Sequence, residues 1–129
     1  MTRPVGLMIL SHSAQVAEGT AGMVSQMIGE DVPLAWSGGD AEGGLGSDLA
    51  AIIAKLTALA ERGAVIVLFD IGGTETHAEM AIETLPDAWR ERVAIAQAPL
   101  VEGAVVAAVE ATSGASLAEV KTAAEGVFS

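Results

Sequence analysis

Three short apolar runs without polar alternation constrain this chain more than any other feature. Val5 to Leu10, Ala64 to Phe69 and Val93 to Ala96 are rich in aliphatic and β-branched residues, and Val32 to Trp36 forms a weaker fourth run after the turn-prone Gly29-Glu30-Asp31. An alternating strand has one wet face; a continuously apolar one is covered on both, as in a parallel sheet. Between the runs lie segments of helical period. Val16, Thr20, Met23, Val24, Met27 and Ile28 fall on one stripe, and Leu49, Ile52, Ile53, Leu56 and Leu59 fall on another. Strand and helix alternate, which predicts an α/β fold: an open, doubly wound parallel sheet of about four core strands with helices on both faces.

Two later segments, Thr76-His77-Ala78-Glu79 and Ser116-Leu117-Ala118-Glu119, fit a capping box, in which a hydroxyl and a carboxylate satisfy free amides at a helix start. They predict helices over about Thr74 to Leu85 and Ser116 to Val127, and the alanine-rich Val101 to Thr112 predicts another. Ser37 to Ser47 carries glycines at 38, 39, 43, 44 and 46 and acids at 40 and 42, and reads as a solvated connection in preference to a lid.

With 129 residues, a single domain spanning 1–129 is expected, large enough to bury about two-thirds of its unfolded surface. There is no cysteine, so disulfides and thiolate chemistry are excluded. Six basic against 17 acidic residues give a formal charge of −11, which argues against nucleic acid and anionic membrane surfaces as partners. Neither a signal peptide nor a membrane-spanning run is recognisable, so a cytoplasmic location is expected.

Doubly wound sheets bind ligands at the carboxyl ends of their strands. After Val5 to Leu10 stand Ser11-His12-Ser13, and after Ala64 to Phe69 stand Asp70-Ile71-Gly72-Gly73-Thr74. On neighbouring strands these segments would meet. An Asp that holds one imidazole N–H fixes the tautomer and leaves the other nitrogen free to attack, so His12 and Asp70 are the candidate nucleophile and orienting carboxylate. Gly72 and Gly73 allow a close approach of backbone amides, and a helix starting after Ser13 adds its own amides and positive dipole end. Together they make a phosphoryl cradle. The same residues also fit a flavodoxin-like binding module with no covalent chemistry, in which His12 would be buried against apolar side chains instead of facing Asp70. His77 lies inside its helix on the outer side and reads as a structural or solvated residue. Two histidines and no cysteine do not make a transition-metal site; Asp70 and its neighbours would hold Mg²⁺ only with a phosphate ligand present, and no resident metal is expected.

Several blocks carry a family resemblance: Val5 through Ser13, Ala17-Glu18-Gly19, Gly46-Ser47-Asp48, Asp70-Ile71-Gly72 and Ala98-Pro99-Leu100-Val101-Glu102-Gly103-Ala104. In this order they resemble the mannose-type enzyme IIA family of the phosphoenolpyruvate phosphotransferase system, in particular the phosphotransferase subunits of dihydroxyacetone kinases. The resemblance implies a homodimer in which His12 accepts a phosphoryl group from the phosphocarrier HPr. It further implies transfer to Mg-ADP held on the DhaL subunit, from which the ATP formed phosphorylates dihydroxyacetone on DhaK, with no cofactor bound tightly to this chain. By position, His12 matches the phosphorylated histidine, Asp70 the carboxylate that orients it and Gly72 the turn that follows. The family commonly has Ser-Ala where this chain has Gly73-Thr74, so either Thr74 supplies the hydroxyl or the amides of Gly72 and Gly73 suffice. Gly46-Ser47-Asp48 keeps a hydroxyl and an acid able to cap the second helix. HPr and enzyme I are expected as separate proteins. A mannose-type enzyme IIA serving a sugar transporter, or a regulator that reports phosphorylation state without catalysis, remain alternatives.

Overall fold

A computed structural model describes residues 3–127. Strand β1 (Gly6–Ser11) leads into α1 (Ala14–Ile28), then β2 (Leu34–Gly38), α2 (Leu49–Arg62), β3 (Val65–Phe69) and α3 (Gly72–Glu83). A short α4 (Asp87–Arg90), β4 (Val93–Ile95), α5 (Leu100–Thr112) and α6 (Leu117–Glu125) complete the order. The four strands pair in parallel in the order β2-β1-β3-β4.

The lack of alternation in the apolar runs has the expected cause. Along β1, Leu7 and Ile9 enter one core with Ile66 and Leu68 of β3, under α1, α5 and α6. Met8 and Leu10 enter the other with Val65 and Val67, under α2 and α3. Every residue of β1 is buried because both faces of the sheet are covered.

α1 packs differently from the periodic stripe. Its buried residues are Ala17, Thr20, Ala21 and Val24, whereas Val16, Met23 and Met27 are exposed. The physical reason is close approach. α1 lies against β2 and α5, and α5 presents Gly103, Ala104, Ala107, Ala108 and Ala111, so alanines fill a gap too narrow for methionine.

The two capping boxes part company. Ser116 and Glu119 form theirs, each side chain bonded to the other's amide. Thr76 lies inside α3, which begins at Gly72 with Ile71 as its N-cap and no side-chain cap, and its hydroxyl donates back to the Gly72 carbonyl. The box pattern at 76–79 matched residues whose backbone was already helical.

Candidate active site

The chain order places the site. β1 leads through α1 to β2 at one edge, and α2 then carries the chain back over β1 to β3. The helix after β1 and the helix after β3 therefore leave on opposite faces, opening a crevice between their carboxyl ends. His12 and Asp70 stand at that crevice. Leu10 pairs with Phe69 in the β1–β3 register, so Ser11 and Asp70 are the next residues across.

The geometry differs from a plain His–Asp pair. Asp70 Oδ2 accepts the Ser11 hydroxyl at 2.5 Å, and the His12 amide donates to the same carboxylate at 3.2 and 3.3 Å. The Ser11 hydroxyl in turn accepts the Ser13 amide at 3.1 Å. The imidazole Nδ1 lies 4.0 Å from Asp70 Oδ1, beyond hydrogen-bond reach, and it is buried without a partner. The carboxylate thus holds the strand end and has one oxygen turned to the ring. The side chains of His12 and Asp70 keep 31% and 23% of their accessibility, so the pair sits in the mouth of the crevice and not in the core.

The other anticipated ligands fall into two groups. Ser13 is the N-cap of α1, its hydroxyl accepting the Val16 amide at 3.3 Å. Gly73 lies against the ring: a Cβ placed on it would be 3.5 Å from His12 Cε1. Because Ile71 provides no side-chain cap, the Gly72 and Gly73 amides have no acceptor among the described residues. Thr74 is the exception. It is fully buried and its hydroxyl donates to the Ile71 carbonyl at 2.6 Å, so a hydroxyl one residue later does not stand in the crevice; the burial that packs α3 onto the sheet takes it away.

The Ser37 to Ser47 segment is not a loose solvated connection. Asp40 Oδ1 accepts the amides of Glu42 and Gly44, the Gly39 amide donates to the Ser11 carbonyl at 3.3 Å, and the Gly46 amide donates to the His12 carbonyl at 2.9 Å. Gly38 approaches so closely that a Cβ would lie 2.4 Å from the Ser13 carbonyl oxygen. Of the two readings of His77, structural or solvated, the first holds: it is half-buried and bonded to Ser47. Asp48 caps α2 through the Ala51 amide, as its sequence block implied.

The neighbour of the pair that the sequence did not single out is Ser11. Its place at the end of an apolar strand beside His12 was the available signal, and its burial and its bond to Asp70 were not.

The family model described as the PTS system fructose IIA component, EIIA-man, matches residues 6–121. The chain belongs to the EIIA-man family. Among curated relatives it is similar to the phosphoryl donor subunit DhaM of PEP-dependent dihydroxyacetone kinase 2 from Listeria innocua, 34% identical over 106 residues that cover 82% of this chain and 85% of that protein. It is also similar to the phosphoryl donor subunit DhaM of PEP-dependent dihydroxyacetone kinase from Escherichia coli K12, 33% identical over 119 residues, covering 90% of this chain but 25% of that protein. The chain therefore spans about a quarter of its longer relatives and most of the shorter ones. Among solved structures, EF1359, a protein of unknown function, matches with a TM-score of 0.83 at 28% identity over 97% of this chain and 94% of that one. A sigma-54 interaction domain protein from Enterococcus faecalis is similar in fold at 15% identity, TM-score 0.67, over 99% of this chain and 93% of that one.

Proposed function

We propose that this EIIA-man-family chain is a cytoplasmic, homodimeric phosphohistidine carrier domain, the phosphoryl donor subunit of a dihydroxyacetone kinase, loaded by HPr and discharged to Mg-ADP on DhaL. No cofactor is held tightly. The single observation that supports the reading most is the His12 ring at the switch-point crevice, with Nδ1 buried and directed to Asp70 while Nε2 is not shut off in that way.

The chemistry follows from that arrangement. Nε2 donates its lone pair to the phosphorus of the donor's phosphohistidine, the new N–P bond forms as the donor's N–P bond breaks, and the donor imidazole keeps the electron pair. The ring of His12 gains positive character, which the Nδ1–H passes to Asp70; a small turn of the ring closes the 4.0 Å gap. Ser11 orients the carboxylate by occupying Oδ2. The free amides of Gly72 and Gly73 and the start of α1 bind the phosphoryl oxygens, so the site works mostly by positioning. In the second half, a terminal phosphate oxygen of ADP attacks the phosphorus, and the electron pair returns to Nε2.

The test is reconstitution with enzyme I, HPr, phosphoenolpyruvate, DhaL and ADP. ATP formation that depends on this chain supports the reading, and its absence contradicts it. The family description as a sugar-system IIA component favours one second reading. Transfer to a sugar transporter IIB domain in place of DhaL-bound ADP would establish that one.

A further inference from the structure

The Ser47 hydroxyl and His77 Nδ1 share a part-buried hydrogen bond of 2.5 Å. The transfer chemistry above makes no use of it. Each partner, however, is tied through its neighbours to His12. One residue before Ser47, the Gly46 amide holds the His12 carbonyl at 2.9 Å. About one helical turn before His77, Gly73 lies against the edge of the imidazole. The bond therefore closes a ring that runs from the His12 carbonyl through Gly46, Ser47 and His77, down the first turn of α3 to Gly73, and back to His12 Cε1. The loop grips the backbone of His12, and α3 flanks its side chain. Ser47–His77 joins the two.

Both sides of this ring are stiff. α3 is anchored to the sheet by buried Thr74, Ala78 and Ala81. The loop is tightened by Asp40 and continues directly into α2, whose N-cap is Asp48, the residue after Ser47. A hydrogen bond between two stiff bodies sets their separation, whereas one between floppy segments would set nothing.

Resting on the phosphocarrier reading, we infer that Ser47 and His77 are a positioning pair, whose hydrogen bond holds the glycine-rich loop and α3 at the spacing that keeps the His12 ring aligned for in-line phosphoryl transfer. In-line transfer is sensitive to displacement of the order of an ångström. Stability is far less sensitive to one part-exposed side-chain hydrogen bond. Rate and stability should therefore separate.

The experiment compares Ser47→Ala, His77→Ala and the double variant with His77→Asn, whose amide reaches the position of Nδ1. Phosphorylation of His12 is followed with phospho-HPr and with phosphoramidate as a small donor, alongside the Gly46 amide and His12 ring resonances and the melting midpoint. Each alanine variant is expected to lose about tenfold in rate with either donor. The double variant should lose no more than the singles, and His77→Asn should recover most of the loss. The Gly46 amide resonance should shift in the alanine variants and return in His77→Asn. Wild-type rates in the alanine variants, an unmoved Gly46 resonance, or a rate loss that merely follows melting would overturn the inference. A wild-type chain that neither donor phosphorylates contradicts the carrier reading instead, and the Gly46 and His12 resonances then decide alone whether the pair fixes the ring.

Discussion

Asp70 is bonded to Ser11 at 2.5 Å while its other carboxylate oxygen faces His12 Nδ1 at 4.0 Å. Both oxygens hold the strand end, because the His12 amide donates to Oδ1 at 3.2 Å and to Oδ2 at 3.3 Å, and Oδ1 also faces the ring. The arrangement follows from the parallel register, which sets the residue before the histidine directly across from the aspartate. A carboxylate fixed by the Ser11 hydroxyl and the His12 amide can receive an imidazole N–H on Oδ1 when the ring turns, without itself moving, which is how fixed dipoles lower a barrier.

Asp70→Asn keeps an oxygen for Ser11 but loses the negative charge beside the ring. Single-turnover phosphoryl transfer to His12 should slow by about 10²-fold with the fold intact. Unchanged transfer would remove Asp70 from the chemistry.

Ser11 is 1% exposed, and its hydroxyl serves both Asp70 and the Ser13 amide. Ser11→Ala removes a buried hydroxyl that donates to the Asp70 carboxylate and accepts the Ser13 amide, so a loss of about 1–3 kcal/mol in urea unfolding is expected. A stability within error of wild type would show that water replaces the hydroxyl at no cost.

The sheet, its covered faces and the crevice were legible in the sequence because each rests on local patterns. Apolar runs need only their own residues to report burial on both faces, and the Ser116–Glu119 box is closed within a single turn. What was not legible depends on distant partners. The stripe of Val16, Met23 and Met27 outweighed Ala17 and Ala21 because alanines contribute little to a hydrophobic pattern, yet the alanine face of α5 selects them. His77 meets Ser47 across 30 residues of sequence. The glycine-rich segment looked loose by composition, although Asp40 folds it and Gly46 docks it on His12. Thr74 offered a hydroxyl by position, and only the packing of α3 shows that it is spent on the Ile71 carbonyl.

Gly38 tests the docked loop. A Cβ there would fall 2.4 Å from the Ser13 carbonyl oxygen and 2.8 Å from Ala14 Cα, both backbone atoms that cannot rotate aside. Gly38→Ala should cost about 1–3 kcal/mol in chemical denaturation and should slow His12 phosphorylation, because the start of α1 has to move. Wild-type stability would mean that the loop is not seated as described.

Acid should loosen α6 in a defined window. The Ser116 backbone amide, and secondarily the Ser116 hydroxyl, hold the Glu119 carboxyl below its ordinary value of 4.5. A lowered folded-state pKa gives stability that is present above the unfolded value and is lost as pH falls through the folded one. Amide exchange in Leu117–Glu125 should therefore accelerate as pH drops below 4.5, after correction for intrinsic rates, and Glu119→Gln should flatten that dependence. An unaltered pH profile in Glu119→Gln would assign the effect to other carboxylates.

The most direct measurement is phosphorus NMR of the chain after incubation with enzyme I, HPr and phosphoenolpyruvate. The expected result is one phosphohistidine signal, acid-labile and base-stable, assigned to Nε2 of His12 and absent from His12→Ala. Persistence of that signal in His12→Ala, its assignment to His77, or its absence from the wild-type chain would contradict the role given to His12.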